Sequence, residues 1–153
     1  MKKALILTVL IGMLVSCKSK KDANGSLPFT ILKEEAHGGR EIPANQTARN
    51  QQELEQLYKQ LNVADVPEVD FTKNNVIAVF LGQKRNGGYS VTIKKVVFDG
   101  DDTSKVIVLA KATEPKKDQA VTMALTSPYC VAIIPKTEKV AVMYIQDGFS
   151  TQK

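Results

Sequence analysis

The sequence has few of the residue types from which catalytic and metal centres are built. Its 153 residues include one histidine, two cysteines and no tryptophan. A metal site needs three or four convergent ligands, and the only histidine, His37, has no second His or Cys at ligand spacing. No Ser, His and Asp set, phosphate-cradling loop or dinucleotide fingerprint occurs in a usable context. These absences argue against an enzyme, a bound metal and a cofactor.

The remaining reactive groups have ordinary structural explanations. Cys130 begins an apolar segment, where a free cysteine is usually a small buried hydrophobe. A dyad of Cys130 with His37 would lack a third, orienting group. The acidic residues 99–102 lack the spaced oxygen ligands and terminal glutamate of a calcium loop, so we expect a hairpin turn there. The sequence therefore predicts no catalytic residue and no metal ligand.

Charge gives no sign of a nucleic-acid partner. The formal net charge of +5 is modest, and the Lys and Arg residues are scattered along the chain instead of forming one aromatic-interleaved stripe. Hydrophobic residues make up 43% of the chain and charged residues 24%, which is enough for both a hydrophobic core and a polar surface. A chain of this length fits one domain. We expect a single globular domain that binds no nucleic acid.

Residues 1–16 predict export. Lys2 and Lys3 precede the apolar residues 4–15, which are too few to cross a bilayer, since a spanning helix needs roughly 20 residues. The stretch ends in Leu14-Val15-Ser16-Cys17, which resembles the lipobox of bacterial lipoproteins. The sequence therefore predicts a lipoprotein signal peptide, cleavage before Cys17 and a covalent lipid on the Cys17 sulfur. An ordinary secretory signal that contains a cysteine is the alternative.

A flexible tether and one folded domain should follow the anchor. Residues 17–26 lack apolar side chains large enough to pack, so they predict the tether, and residues 27–153 form the domain. Acylation of Cys17 would leave Cys130 as the single thiol, which excludes an internal disulfide. Lys18 is not the Asp associated with inner-membrane retention in enteric bacteria, which favours the outer membrane. We expect an outer-membrane lipoprotein of the cell envelope.

The clearest predicted element is one amphipathic helix. Asn50 is a good N-cap, and Glu53 stands at capping-box spacing from it. Apolar side chains then recur on one helical face: Leu54, Leu57, Tyr58 and Leu61. That face should pack against a sheet.

Strand patterns dominate the rest of the chain. Residues 76–81, 89–93, 105–112, 129–134 and 140–145 predict strands, residues 121–125 are less regular, and weak strand signals lie at 27–33 and 40–47. The run at 76–81 is apolar throughout, which is typical of a central strand covered on both faces. Asn86-Gly87-Gly88 predicts a hairpin that makes the first two strands antiparallel neighbours. The predicted fold class is α+β: one N-terminal amphipathic helix packed on a mostly antiparallel sheet of five or six strands.

The most specific segment is residues 76–91, with the sequence VIAVFLGQKRNGGYSV. It follows Pro67-Glu68-Val69-Asp70-Phe71 and precedes Thr126-Ser127-Pro128-Tyr129 and an apolar strand ending at Pro135. In this order and spacing the chain resembles the C-terminal domain of the protease complex subunit PrcB family, over roughly residues 51–145. The resemblance implies a lipoprotein with an accessory role in a surface protease complex, associated with another subunit. It constrains the fold more than the function.

A partner-binding surface is expected at the glycine-rich segment. The candidate residues are Lys84, Arg85, Gly87, Gly88 and Tyr89, since Tyr and Arg are common interface anchors. A tight turn with an aromatic packed on the sheet explains the same glycines and tyrosine without a partner. The expected function is a membrane-anchored, non-catalytic protein-binding module, accessory to an envelope or secreted protease. A lipoprotein that binds a small ligand or maintains the envelope, unrelated to proteolysis, is the alternative.

Overall fold

The computed structural model describes residues 25–145, which contain seven strands and one helix. In chain order they are β1 (Thr30–Glu35), β2 (Ala44–Ala48), α1 (Gln51–Gln60), β3 (Asn74–Phe80), β4 (Ser90–Asp99), β5 (Asp102–Thr113), β6 (Tyr129–Pro135) and β7 (Lys139–Ile145). The predicted signal peptide, Cys17 and most of the predicted tether lie outside the described residues. Among residues 25–145, no helix is long and apolar enough to span a membrane.

The strands form two sheets. The larger has the order β1-β6-β3-β2 and is antiparallel throughout, and the smaller has the order β4-β5-β7. Strands β4 and β5 are antiparallel and joined by the turn at residues 99–102, which confirms the predicted hairpin there. Strands β5 and β7 are parallel. The prediction of a mostly antiparallel arrangement is confirmed.

The larger sheet is the middle of three layers. Alternate side chains of its central strands, β3 and β6, point to opposite faces, and nearly all are buried. One face packs on α1 in a cluster that includes Leu57 and Phe80. The other packs on the smaller sheet in a cluster that includes Val79, Val108 and Ile134. Cover on both faces explains why the sequence of β3 is apolar without alternation.

Helix α1 begins where the sequence predicts. The Asn50 side chain accepts a hydrogen bond of 2.8 Å from the Glu53 backbone N–H, and the Glu53 carboxylate accepts one of 2.7 Å from the Arg49 N–H. The first bond satisfies a donor that the first turn of a helix leaves free, and the second ties the residue before the cap to the helix. Leu54, Leu57 and Tyr58 are buried against the sheet. Burial of each leucine contributes about 1.5 to 3 kcal/mol, so packing holds the helix more than propensity does.

The prediction of an N-terminal helix on one sheet is wrong. Two strands, β1 and β2, precede α1, and seven strands divide between two sheets. Both early strands lie at the edges of the larger sheet, where one side of the backbone needs no protein partner and polar residues are tolerated. Their weak alternation in the sequence follows from this position.

The predicted pairing of β3 with β4 is also wrong. After β3 the chain stays beside the segment that leads into β6: the Leu81 N–H donates to Pro128 O at 3.0 Å, and Lys84 pairs with Thr126. Residues 82–89 therefore cross from one sheet to the other, and β4 pairs with β5 instead. Residues 121–125 belong to no strand and pack beside this crossing. The glycines bend the chain between layers and do not close a hairpin.

Candidate functional site

A cleft of about 240 Å³ opens at one end of the two packed sheets. It lies where β3, β5 and β7 end and β4 begins. Its lining residues are Pro43, Leu81, Lys84, Tyr89, Ala112, Thr113, Glu114 and Tyr144. The walls are thus mainly apolar and aromatic, with one cationic and one acidic side chain.

Small side chains at the end of β5 leave the space for this cleft. Val108 on β5 is buried in the core between the sheets, and Ala112, four residues further on the same face, is only partly buried. Tyr144 on β7 shares a face with Val142, which packs on that core. Tyr144 is nevertheless 48% exposed. Because Ala112 is small and Tyr144 is partly exposed, the space between the sheets is open at this end, and the two residues form the rim of the opening.

Lys84 and Tyr89 meet at the cleft. The Lys84 Nζ lies over the Tyr89 ring, 5.4 Å from its centroid, and both side chains are half-buried. Two backbone hydrogen bonds with Thr126, of 2.7 and 3.0 Å, fix the Lys84 main chain. Such a cation–π contact contributes about 0.5 to 1 kcal/mol at an exposed site. Within residues 25–145 the ammonium forms no ion pair, so its charge is available to a ligand.

The two glycines shape the loop that carries Tyr89. The Gly87 N–H donates to Thr122 O at 2.9 Å, and a side chain at Gly87 would collide with the Thr122 hydroxyl. Gly88 has φ +88°, and a Cβ there would stand 2.8 Å from Pro115 Cβ. Glycine allows both the positive φ and the close approach. The loop at 84–89 is therefore packed tightly on the loop at 115–126.

The structure brings together only two of the five predicted partner-binding residues. Lys84 and Tyr89 line the cleft, whereas Arg85 is exposed and is not among the lining residues. Gly87 is buried and Gly88 is exposed, and both act through the backbone. The glycines thus fit the simpler explanation of a tight turn, and the lysine and tyrosine fit a binding surface.

Sequence reasoning missed the parts of the cleft that come from distant segments. Pro43 precedes β2, Glu114 follows β5 and Tyr144 lies near the end of β7. Nothing local to these residues indicates that they meet Tyr89. The one usable signal was Tyr144 itself, an aromatic with a polar tip at the end of the apolar run 140–145.

The other candidate groups are placed away from any reactive arrangement. Cys130 is fully buried in β6, as predicted, and burial raises the pKa of its thiol to about 11. The protonated thiol is a poor nucleophile. His37 lies in an exposed bend. In the part of the chain that the structure describes, no three His, Cys, Asp or Glu residues are grouped so that they could hold a metal ion.

Comparison with protein families gives a match for the middle of the chain. Residues 75–135 match the family model described as PrcB C-terminal. This segment of the chain is therefore similar to the PrcB C-terminal family. The match runs from β3 to the end of β6 and includes the Lys84 and Tyr89 contact, whereas Pro43 and Tyr144 lie outside it. No curated protein and no solved structure matches the chain.

Proposed function

We propose that this chain is a membrane-anchored, non-catalytic protein-binding module that serves as an accessory subunit of an envelope protease complex. The PrcB C-terminal domain at residues 75–135 supports a role associated with a protease complex. The lipobox-like sequence ending at Cys17 supports the anchor. Two or more acyl chains would hold the protein stably at the outer membrane, where one chain would hold it only weakly.

The observation that carries the binding role is the chemistry of the cleft. It combines two tyrosines with a lysine that has no ion-pair partner in residues 25–145. Tyrosine is enriched among the residues that dominate binding energy at protein interfaces. Next to the cleft residues along the chain stand two further exposed apolar side chains, Ile42 and Met143. These two side chains do not line the cleft, and they add exposed apolar surface near it that a protein partner could cover.

The size of the cleft disfavours a small-molecule ligand at this site. Sites for small ligands usually enclose roughly 300 to 1,000 Å³ and bury most of the ligand. The cleft measures about 240 Å³ and is open to solvent on one side. It fits one large side chain of a partner better than a whole ligand.

Affinity purification from crosslinked envelopes tests the binding role. Wild type should retain a specific envelope protein, which mass spectrometry identifies, and Lys84→Glu and Tyr89→Ala should lose it. Lys94→Glu is the matched control, because it makes the same change of charge at an exposed position of β4 outside the cleft. Recovery of identical partners with all variants would exclude the cleft as the binding surface.

The anchor needs a separate test. Detergent phase partitioning should place wild type in the detergent phase and Cys17→Ala in the aqueous phase, because only the acylated protein carries the hydrocarbon chains. Mass spectrometry of the purified wild type should show a chain that begins at a modified Cys17. A wild-type chain that keeps its first methionine would contradict the proposed lipidation.

A further inference from the structure

Strand β7 has one neighbouring strand among the described residues. It pairs along its length with β5, and within residues 25–145 no strand lies on its other side. Half of its backbone N–H and C=O groups therefore face outward without a strand partner. An edge of this kind can accept an extended segment of another protein as a further strand.

The other sheet edges carry features that oppose such pairing. Strand β1 contains Glu34 and Glu35 and a register shift, and β2 has five residues, most of them polar. Strand β4 contains Lys94 and a register shift, and part of its edge is occupied because the Leu27 N–H donates to Val96 O at 2.7 Å. Charge, irregular register, short length and cover are the usual means of protecting an edge.

Strand β7 has fewer of these protections, since its one charged residue, Lys139, stands at its first position. Its register with β5 is regular from Lys139 to Ile145, and residues 140–145 contain no charge and no proline. Met143 is 53% exposed and Tyr144 is 48% exposed. A regular apolar edge that residues 25–145 leave uncovered would be an aggregation hazard, which favours a further strand as its cover.

The open edge and the cleft share Tyr144. A strand added beside β7 would run past the mouth of the cleft, and every second side chain of that strand would face the cleft side. The space of about 240 Å³ suits one apolar or aromatic side chain of such a strand. Lys84 would attract a carboxylate on the same segment, and Glu114 in the lining would disfavour a highly acidic one.

We propose that β7 is the docking edge for an extended segment of the partner protein, with one apolar side chain in the cleft and one carboxylate at Lys84. The inference rests on the proposed function and specifies how that partner is held. Main-chain hydrogen bonds to β7 would supply affinity, and the cleft with its lysine would supply selectivity.

Selection from a random heptapeptide library displayed on phage tests this proposal on the purified full chain. Recovered peptides should alternate apolar and polar residues and contain Asp or Glu at one position. Selection on the Lys84→Glu variant should recover peptides with Lys or Arg at that peptide position. Selection on the control variant Lys94→Glu should still recover peptides with Asp or Glu there. A synthetic peptide of the recovered sequence should slow hydrogen exchange at amides of β7 and leave β1 and β2 unchanged, and Tyr144→Ala should weaken it about tenfold.

Four results would overturn the proposal. Failure to enrich peptides, or protection outside β7, would exclude strand addition, while capture of the intact partner would still support the proposed function. A dimer in sedimentation whose β7 amides are protected would show that a second copy covers the edge. Peptide binding gained only when the chain is shortened to end at Ile145 would show that residues 146–153 cover it.

Discussion

Replacement of Gly88 by alanine isolates the contact between the two loops that form the cleft. Gly88 has φ +88°, and an added Cβ would lie 2.8 Å from Pro115 Cβ and 3.2 Å from Val121 Cγ1. Gly100, in the turn between β4 and β5, is the matched control: its φ is +60°, and a Cβ there would have no atom within 4 Å. Both changes place an alanine in the left-handed region, and only one adds a collision.

The two effects have separable magnitudes. A positive φ costs an L-residue about 1 to 2 kcal/mol, and the lower entropy of the unfolded chain with alanine offsets about 0.4 to 1 kcal/mol of that. Gly100→Ala should therefore reduce the free energy of unfolding by about 1 kcal/mol. Gly88→Ala carries a backbone term at least as large, and an overpacking term of about 1 to 3 kcal/mol, because the proline ring and the valine must move. We expect a total loss of about 2 to 4 kcal/mol for Gly88→Ala.

Urea unfolding followed by circular dichroism measures both losses. The midpoint should fall further for Gly88→Ala than for Gly100→Ala, with slopes close to wild type for both. A melting-temperature shift should show the same order. Equal losses for the two variants would refute the reasoning, since the close approach of the loops at residues 88 and 115 would then have no energetic effect.

Three further predictions concern the core and the helix. Leu57→Ala should lower the free energy of unfolding by about 2 to 5 kcal/mol in urea, because the side chain is fully buried, and a loss below 1 kcal/mol would contradict its packing on the sheet. Asn50→Ala should cost about 1 kcal/mol in the same assay, because the Glu53 N–H loses its acceptor, and Asn50→Asp should restore it. Because burial raises the pKa of the Cys130 thiol from 9.0 to about 11, the unfolded chain binds fewer protons than the folded chain between those values. Stability should fall as pH rises through that window, by at most about 1.4 kcal/mol per pH unit, and Cys130→Ala should lack this part of the slope.

Local sequence patterns predicted the helix and the strands well where the burial of side chains follows one regular period. The cap at Asn50, the helix face and the strand that ends at Pro135 are each encoded within a few neighbouring residues. The apolar run of β3 correctly predicted a strand covered on both faces. These predictions succeed because capping and periodicity depend on the residue's own element.

Sheet order could not be predicted in the same way. Whether β4 follows β3 in one sheet or crosses to another depends on contacts between segments about 40 residues apart, such as Lys84 with Thr126. A glycine pair is compatible with either course, because it permits a hairpin and a crossing alike. The same holds for the cleft: its two residues from one loop, Lys84 and Tyr89, were predicted, and Tyr144, which arrives from another strand, was not.

The two ends of the packed sheets differ in how strongly they hold β7. At the end opposite the cleft, the buried Asn75 side chain donates to Thr137 O at 2.8 Å, and the Thr137 hydroxyl donates to Ser104 O at 2.7 Å. These bonds connect the start of β3 with the start of β5 just before β7 begins, which fixes the register of β7 on β5. The far end of β7 has no comparable connection within residues 25–145, and there the exposed Tyr144 meets the cleft. If β7 accepts a partner at the end that residues 25–145 leave open, the core should not be disturbed, because the contacts that order the strand lie at its other end.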